Sequence, residues 1–228
     1  WIYHAPVKSR CIFEYIYFAR TDSIIDGQSV YSSRVRAGSI LAEKYPVDAD
    51  LVIGVPESGL AAAVGYSQGS NIPYGMAFYK NSYVGRTFIK PKQNERTAGV
   101  QAKLNVIRDV VKGKRVVMVD DSIVRGTTIR NIVKMLKDAG ALEVHVRISS
   151  PPFKHPCYYG TDVPSSENLV AVNNTIDEIK ESINADSLGF LDIEDLGQLC
   201  PGLDYCDACF TGKYAGGIPS DPSKTNSC

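Results

Sequence analysis

The chain has 228 residues, and its 25 basic side chains balance 25 acidic ones, so the formal net charge is zero. This length suits one sizeable hydrophobic core, or one domain with an appendage. The charge balance argues against nucleic acid as a partner and against a polybasic membrane anchor. No apolar run is long enough to span a bilayer, because the most apolar part, residues 51–66, is interrupted by Pro56, Glu57 and Ser58.

The first half of the chain predicts alternating strands and helices. The segment CIFEYIYFAR, residues 11–20, is aromatic and β-branched, which is typical of a strand. Asp26 and Gly27 predict a turn, and Ser29 is a candidate N-cap for the helix that follows. The predicted strands are 11–20, 51–55 and 73–79, and the predicted helices are 30–44 and 60–68. Because the chain begins at Trp1 and its first apolar run follows almost at once, we expect a longer protein with a further N-terminal part.

A long polar segment, residues 80–102, follows the third predicted strand. A loop of this length inside a compact domain is usually functional or mobile. Its basic residues could close over an anionic ligand, although a solvated surface loop is the alternative for any one of them. They are Lys80, Arg86, Lys90, Lys92 and Arg96, with Lys103 just beyond.

The stretch VVMVDDSIVRGTT, residues 116–128, predicts a buried strand, a short loop and a helix N-terminus. Backbone N–H groups and the helix dipole at such a terminus favour a phosphate. Asp120 and Asp121 end the strand, and burying two carboxylates there costs desolvation unless they have a partner. The helix continues with apolar residues at helical spacing to Gly140, and residues 143–148 predict another strand.

Strands that alternate with helices predict an α/β fold with a mostly parallel sheet, in which ligands bind at the carboxyl ends of the strands. The loops 56–59 and 120–128 both follow such strands. Beyond Ser150 the pattern changes. There, Thr175 and Glu178 fit a capping box for a helix that runs through Ile183. Residues 188–199 fit a short helix or strand. Residues 215–228 are rich in Gly, Pro, Ser and Lys and predict a loose tail.

Six cysteines stand at positions 11, 157, 200, 206, 209 and 228. Cys206 and Cys209 form a CxxC pair, whereas Cys11 and Cys157 lie far away in sequence. Four thiolates can bind zinc or an iron–sulfur cluster. One CxxC with two lone cysteines does not decide between a metal site and small buried core residues.

The stretch 116–128 resembles the PRPP loop of the type I phosphoribosyltransferases, in which an apolar strand precedes D-D, small residues and G-T-T. The resemblance implies that Asp120 and Asp121 contact the ribose hydroxyls and, with Ser58, hold Mg²⁺. It also implies that the loop 56–59 holds the pyrophosphate. The implied PRPP-binding residues are Glu57, Ser58, Gly59, Asp120, Asp121, Ser122, Ile123, Val124, Arg125, Gly126, Thr127 and Thr128.

Most of residues 1–214 resembles the C-terminal part of the glutamine PRPP amidotransferase family, in particular its [4Fe–4S]-containing group. The similar stretches are CIFEYIYFAR, IGVPESG, YVGRTFI, VVMVDDSIVRGTT, SSPPFKHPCYYG and CDACFTGKY. The four cluster-ligand positions fall on Cys11, Cys157, Cys206 and Cys209, which leaves Cys200 and Cys228 as free thiols. The segment before the CxxC is shorter than in the family, and the family's N-terminal glutaminase domain is absent from these residues.

The resemblance implies a type I phosphoribosyltransferase core over residues 25–150. Residues 1–24 lead in with the first strand, 151–214 carry cluster ligands, and 215–228 form the flexible tail. It implies that ammonia, released from glutamine by the glutaminase domain, displaces pyrophosphate from PRPP in the first step of purine synthesis. We expect a cytoplasmic homo-oligomer that binds no nucleic acid or membrane. Arg86 and Lys103 would act in catalysis, and purine nucleotides would inhibit through Arg20, Arg34, Lys80 and Ser82.

Two other functions stay open on the residues alone. The first is a salvage phosphoribosyltransferase that acts on a free base, although nothing in the sequence resembles a base-binding hood. The second is a non-catalytic regulator that keeps the fold and binds PRPP as a signal. Asp120, Asp121 and Ser58 argue only mildly against a regulator, because a sensor also needs the site.

Overall fold

The computed structural model describes residues 9–80, 104–160 and 165–218. Its strands are β1 (Arg10–Cys11), β2 (Ile24–Ile25), β3 (Gln28–Ser29), β4 (Leu51–Gly54), β5 (Phe78–Lys80), β6 (Leu104–Val106), β7 (Arg115–Asp120), β8 (Glu143–Ile148), β9 (Ser187–Phe190) and β10 (Tyr205–Cys206). Its α-helices are α1 (Val30–Lys44), α2 (Gly59–Ser70), α3 (Arg108–Val111), α4 (Thr127–Asp138), α5 (Val170–Asn173), α6 (Ile176–Ser182), α7 (Leu196–Leu199) and α8 (Ala208–Thr211). Short helices of other types span Glu14–Phe18, Ser166–Asn168 and Ile193–Asp195.

The predicted parallel sheet is confirmed. It has four strands in the order β4-β7-β8-β9, and every neighbouring pair runs parallel. Tyr74 adds a single parallel bridge to Val52 at the β4 edge, so the predicted strand 73–79 is reduced to this bridge and β5. The central position of β7 explains why its sequence is an uninterrupted apolar run.

Side chains of β7 point alternately into two hydrophobic layers. Val117 and Val119 belong to a cluster with α1 and α2, whereas Val116 and Met118 belong to a cluster with α4 and α6. This alternation follows from the two-residue period of a strand. The sheet is therefore covered on both faces, as a parallel sheet requires.

Helices α1 and α2 touch backbone to backbone, which two glycines make possible. A Cβ atom on Gly38 would lie 1.8 Å from the carbonyl oxygen of Ala62, and one on Gly65 would lie 1.8 Å from that of Val35. Real Cβ atoms essentially never approach so closely, so any larger residue must push the helices apart. Since α2 begins at the loop 56–59 and α1 carries Arg34, this contact also positions the candidate site.

The predicted strand over residues 11–20 is wrong. Only Arg10–Cys11 is extended, and Glu14–Phe18 forms a π-helical turn. The buried residues are Ile12, Phe13, Tyr15 and Ile16, a paired spacing that belongs to a helical turn and not to an alternating strand. Aromatic and β-branched content is a context-dependent signal, and here tertiary contacts override it.

The predicted local signals are otherwise borne out. Asp26 and Gly27 have φ angles of 47° and 80° and turn β2 into β3, and the Ser29 hydroxyl accepts from the Ser32 amide to cap α1. The capping box of Thr175 and Glu178 is present at α6. Residues 188–199 contain both a strand and a short helix. The polar segment predicted over residues 80–102 lies, except for Lys80, outside the described residues.

None of the described helices has the length and apolarity needed to cross a membrane.

The contact between α1 and α2 generates a stability prediction. Gly38→Ala should lower the free energy of unfolding by about 1–3 kcal/mol, because the added methyl group overpacks a backbone contact. Urea unfolding monitored by circular dichroism measures the change. Gly197→Ala in α7 is the matched control, since its Cβ would meet only the Tyr205 hydroxyl at 3.6 Å. Equal stability of the two variants would contradict the close packing.

Candidate functional site

Two loops meet at the carboxyl edge of the sheet. Because β4 and β7 are parallel neighbours, the loops that follow them leave the sheet side by side. The Val55 amide donates to the Val119 carbonyl at 2.9 Å, which ties the first loop to the end of β7. A Cβ on Gly59 would lie 2.5 Å from that same carbonyl, so only glycine permits this approach. The structure thus brings together the two loops that the sequence singled out.

Two carboxylates lie buried where these loops meet. Asp120 is 8% exposed and Asp121 is 7% exposed. The Asp121 amide donates to the Asp120 carboxylate at 2.9 Å. The Ser58 hydroxyl donates to the Asp121 carboxylate at 2.5 Å, and the Ser122 hydroxyl donates to its other oxygen. Ser58, Asp120 and Asp121, which the sequence predicted to share a metal, are therefore neighbours.

The pair is held without a cationic hydrogen-bond partner among the described residues. Burial, followed by the charge of Asp121, raises the pKa of Asp120 well above its ordinary value. Burial also raises the pKa of Asp121, although the hydroxyls of Ser122 and Ser58 and the charge of Arg34 act in the opposite direction. Such a pair gains stability from a cation, which would offset the desolvation.

The loop from Ser122 to Gly126 leads into α4. Ile123 is buried in the core, and the Val170 amide donates to the Val124 carbonyl at 2.9 Å, so the loop is fixed at both residues. Gly126 has a φ of 78°, a conformation that favours glycine. Arg125, Thr127 and Thr128 are exposed at the start of this 12-residue helix. A helix N-terminus with exposed hydroxyls is suited to bind a phosphate.

An open pocket of about 910 Å³ adjoins Ser58. Its volume lies in the range of small-molecule sites. Its lining includes the loop 56–58 and Lys80, whose ammonium lies 3.1 Å from the Glu57 carboxylate. Residues 17–22 and Arg34 complete the lining.

The residues predicted for nucleotide inhibition partly come together here. Arg20, Arg34 and Lys80 all line the pocket. Arg20 is exposed and pairs with Asp22 at 2.9 Å. Arg34 is 3% exposed and donates to four oxygen atoms of the chain, which leaves little of its guanidinium for a ligand. Ser82, and the catalytic candidates Arg86 and Lys103, lie outside the described residues.

The sequence did not identify the pocket wall formed by residues 17–22. The sequence predicted a strand over residues 11–20, and a strand in the sheet would not have formed the lining of a pocket. The sequence carried no signal for this turn, because residues 11–13 and 15–19 are all apolar and only Glu14 interrupts them. Tyr17 and Phe18 are the half-exposed rings at the pocket.

The four cysteines Cys11, Cys157, Cys206 and Cys209 line one small cavity. Cys11 and Cys206 are register partners of the parallel pair β1 and β10, and Cys209 lies in α8, just beyond β10. The amides of Lys154 and His155 donate to the Cys209 carbonyl at 3.1 and 3.0 Å, which brings the segment of Cys157 alongside. Apolar and aromatic residues complete the lining: Phe13, Phe153, Tyr159, Ala208 and Tyr214.

Burial, with a smaller contribution from the neighbouring thiols of Cys157 and Cys206, raises the pKa of Cys11 to about 11. Burial and the other three thiols also raise the pKa of Cys209. The described residues contain no group of three or more His, Cys, Asp or Glu placed to hold a single metal ion. Cys200 is buried in the core, apart from the cavity, and all five described cysteines are free.

Comparison with known proteins gives the class. The family model described as "Phosphoribosyl transferase domain" matches residues 29–158. This span contains both loops of the site. The chain belongs to the phosphoribosyl transferase domain family, and its fold is the predicted type I phosphoribosyltransferase fold.

Particular relatives are closer. The amidophosphoribosyltransferases of Synechocystis sp. and Bacillus subtilis are 54% and 53% identical over 93% and 94% of this chain, and 43% and 46% of their own lengths. The solved structure of glutamine PRPP amidotransferase from B. subtilis, complexed with ADP and GMP, superposes with a TM-score of 0.86 at 52% identity. That match covers 94% of this chain and 49% of the other. The chain thus spans about half the length of the relatives it matches.

The buried carboxylates generate a prediction about stability without metal. Asp120→Asn should raise the free energy of unfolding by about 1 kcal/mol at neutral pH, because it removes a buried charge and keeps the acceptor for the Asp121 amide. Because the folded-state pKa of Asp120 is raised, stability of the parent chain should fall as the pH rises above about 4, the ordinary carboxyl value. This decline should be smaller in the variant. Unfolding in chelator-treated buffer across the pH range measures both effects.

Asp138→Asn is the control for this prediction. Asp138 is 62% exposed and pairs with Lys134 on the surface of α4, so its replacement should change stability little. A variant at Asp120 that is less stable than the parent chain, with the same pH dependence, would contradict the uncompensated burial.

Proposed function

We propose that this chain carries the phosphoribosyl-transfer site of an amidophosphoribosyltransferase. In this reaction ammonia displaces pyrophosphate from PRPP and gives 5-phosphoribosylamine, the first step of purine synthesis. The observation that carries the proposal is the meeting of Ser58 with Asp121 beside a phosphate-binding helix terminus. The similarity to amidophosphoribosyltransferases over more than nine-tenths of the chain supports this particular acceptor.

The assigned roles follow the geometry. The 5′-phosphate would occupy the loop 122–128, where exposed hydroxyls and backbone amides precede α4. Asp120 and Asp121 would accept hydrogen bonds from the ribose hydroxyls. The pyrophosphate would lie against Glu57, Ser58 and Gly59, where the missing side chain of Gly59 brings the loop close to β7. Because the substrate carries its own leaving group, catalysis would consist mainly of positioning and electrostatic stabilisation.

Mg²⁺ fits the oxygen donors of Ser58, Asp120 and Asp121. Hard cations of this kind prefer carboxylate and hydroxyl oxygens, and the two buried carboxylates lack a cationic hydrogen-bond partner among the described residues. When bound, Mg²⁺ would neutralise charge on the leaving pyrophosphate. Arg86 and Lys103, which lie outside the described residues, stay predictions for contacts to the same leaving group.

Ammonia would enter from the open pocket, because this pocket adjoins Ser58 of the pyrophosphate loop. The C1–N bond forms as the C1–O bond to pyrophosphate breaks, and the amine then loses a proton to solvent. In the full-length protein we expect a glutaminase domain to supply this ammonia from glutamine. Purine nucleotides are the expected inhibitors, since the solved relative was crystallised with ADP and GMP.

We also propose that Cys11, Cys157, Cys206 and Cys209 hold a [4Fe–4S] cluster. Four cysteines around one cavity match the four-thiolate ligation of such clusters. The choice of a cluster over zinc rests on the resemblance of these four positions to the cluster ligands of the [4Fe–4S]-containing amidotransferases. The reaction involves no oxidation or reduction, so the cluster would have a structural role.

The functional proposal is tested with the purified chain, PRPP, Mg²⁺ and ammonium chloride at a pH where free ammonia is present. Pyrophosphate release should depend on both Mg²⁺ and ammonia. Asp121→Asn should reduce kcat/KM by about 100-fold, because it removes charge at the metal and ribose. Asp138→Asn, on the surface of α4, should behave as the parent chain.

Each rival function has its own outcome in this assay. PRPP binding by calorimetry without pyrophosphate release would favour the non-catalytic regulator. Pyrophosphate release with adenine, guanine or hypoxanthine, but not with ammonia, would favour a salvage enzyme. Either result would replace the amidotransferase proposal.

The cluster has a separate test. Protein purified without oxygen should be brown, with about four iron and four sulfide per chain. Cys206→Ser should lose the colour, whereas Cys200→Ala should keep it, because Cys200 lies in the core outside the four-cysteine cavity. Stoichiometric zinc without visible absorbance would contradict the cluster assignment.

A further inference from the structure

Arg34 makes an unusual set of contacts for a buried cation. It lies in α1, and its side chain donates to three backbone carbonyls, those of Tyr15 at 3.1 Å, Tyr17 at 3.0 Å and Ala19 at 2.8 Å. A fourth bond goes to the Thr21 hydroxyl at 3.0 Å. Its four hydrogen-bond partners are therefore neutral groups on alternate residues of a single segment. We call residues 15–21 the arch.

The arch has other contacts besides those to Arg34. Tyr15 and Ile16 are buried in the core, the Ala19 amide donates to the Glu14 carbonyl at 3.2 Å, and the Tyr15 hydroxyl donates to the Ile25 carbonyl at 3.1 Å. Tyr17 and Phe18 are 47% and 43% exposed, and their rings contact the ring of Phe13 and each other. Losing the guanidinium would leave three carbonyls without their donor, and each unsatisfied carbonyl costs about 1–3 kcal/mol. The main chain would rearrange to reach water.

Only arginine suits this task. Its planar guanidinium presents five N–H groups in a fixed fork, whereas a lysine ammonium presents three donors at one point. Four acceptors spread along seven residues can all be reached by the fork of an arginine. They outnumber the three donors of a lysine, which also lie too close together to reach them. Burial lowers the pKa of Arg34, which measures the desolvation that these contacts offset.

The arch lines the same pocket as the pyrophosphate loop. Tyr17, Phe18, Ala19, Arg20 and Thr21 line it together with Glu57 and Ser58. The arch contains none of the residues proposed to bind PRPP, which lie in 57–59 and 120–128. A change confined to the arch therefore alters the space beside PRPP and leaves the PRPP contacts in place.

We propose that Arg34 is a positioning residue that holds the arch in shape, and that the arch determines how the attacking nucleophile approaches bound PRPP. This inference rests on the proposed function, because it takes PRPP as the bound substrate. It assigns no contact between Arg34 and a reacting atom. Its effect passes through the main chain of residues 15–21.

The test compares Arg34→Lys with Arg36→Lys in the complete chain. Arg36 lies on the same helix and, among the described residues, donates to the Gln198 carbonyl and to no residue of the arch. Arg34→Lys should leave the Kd for PRPP with Mg²⁺ unchanged by calorimetry. It should lower kcat/KM for ammonia about tenfold or more, because small misplacements in a site have large kinetic effects. Arg36→Lys should change neither quantity.

A second readout does not depend on activity. Amide hydrogen exchange over residues 15–21 should become about tenfold faster in Arg34→Lys and stay unchanged in Arg36→Lys. Thr21→Val removes one of the four bonds and keeps the guanidinium, so it should shift exchange and ammonia kinetics in the same direction by less. This milder variant keeps the proposal testable if Arg34→Lys does not fold.

The outcomes separate this proposal from the proposed function. Parent-like ammonia kinetics in Arg34→Lys would overturn the inference, and so would an equal loss of PRPP affinity. If the parent chain binds PRPP but releases no pyrophosphate with ammonia, the proposed function fails and the nucleophile role fails with it. In that case, faster amide exchange over residues 15–21 in Arg34→Lys would support only the structural half of the inference, that Arg34 fixes the conformation of the arch.

Discussion

The site depends on backbone contacts that only glycine permits. Gly38 and Gly65 let α1 and α2 approach until a carbonyl of each helix meets the Cα of the other. Gly59 lets the first turn of α2 meet the end of β7. Through these contacts α1 brings Arg34, and the start of α2 brings Ser58, to one pocket. Ser58 also meets Asp121, which directly follows β7. Close backbone packing of this kind leaves little room for these elements to shift.

The two candidate centres share one electrostatic condition. At the sheet edge, burial raises the pKa values of Asp120 and Asp121, and in the cysteine cavity it raises those of Cys11 and Cys209. In each centre like groups are packed together, so the charged form is costly without a cation. A folded chain maintains such groups at a cost in stability, which is common at functional sites. Arg34 presents the opposite case, because neutral carbonyls and a hydroxyl surround a buried cation.

The stretch 116–128 could be predicted from sequence because its signals are local. Four apolar residues, two acids and a glycine before a helix each restrict a few neighbouring residues, and the structure places them as expected. Residues 11–20 could not be predicted in this way. The carbonyls of Tyr15 and Ala19 accept from Arg34, which lies 19 and 15 residues further along the chain, and a local pattern does not reveal such a partner. The close contact between α1 and α2 could not be predicted either. A helix rich in small residues indicates close packing, but the sequence does not show which element packs against it.

The same reasoning applies to the segment after residue 150, where the change of pattern suggested an appendage. Phe153, Leu169, Leu191, Leu199 and Phe210 are buried in the cluster that contains α1 and α2. β10 pairs with β1, so Cys206 lies beside Cys11 at the start of the segment that becomes the arch. Within twelve residues, from Cys11 to Asp22, the chain lines first the cysteine cavity and then the site pocket. The C-terminal segment therefore helps to place the pocket wall, because β10 anchors Arg10, Cys11 and Ile12, just ahead of the arch.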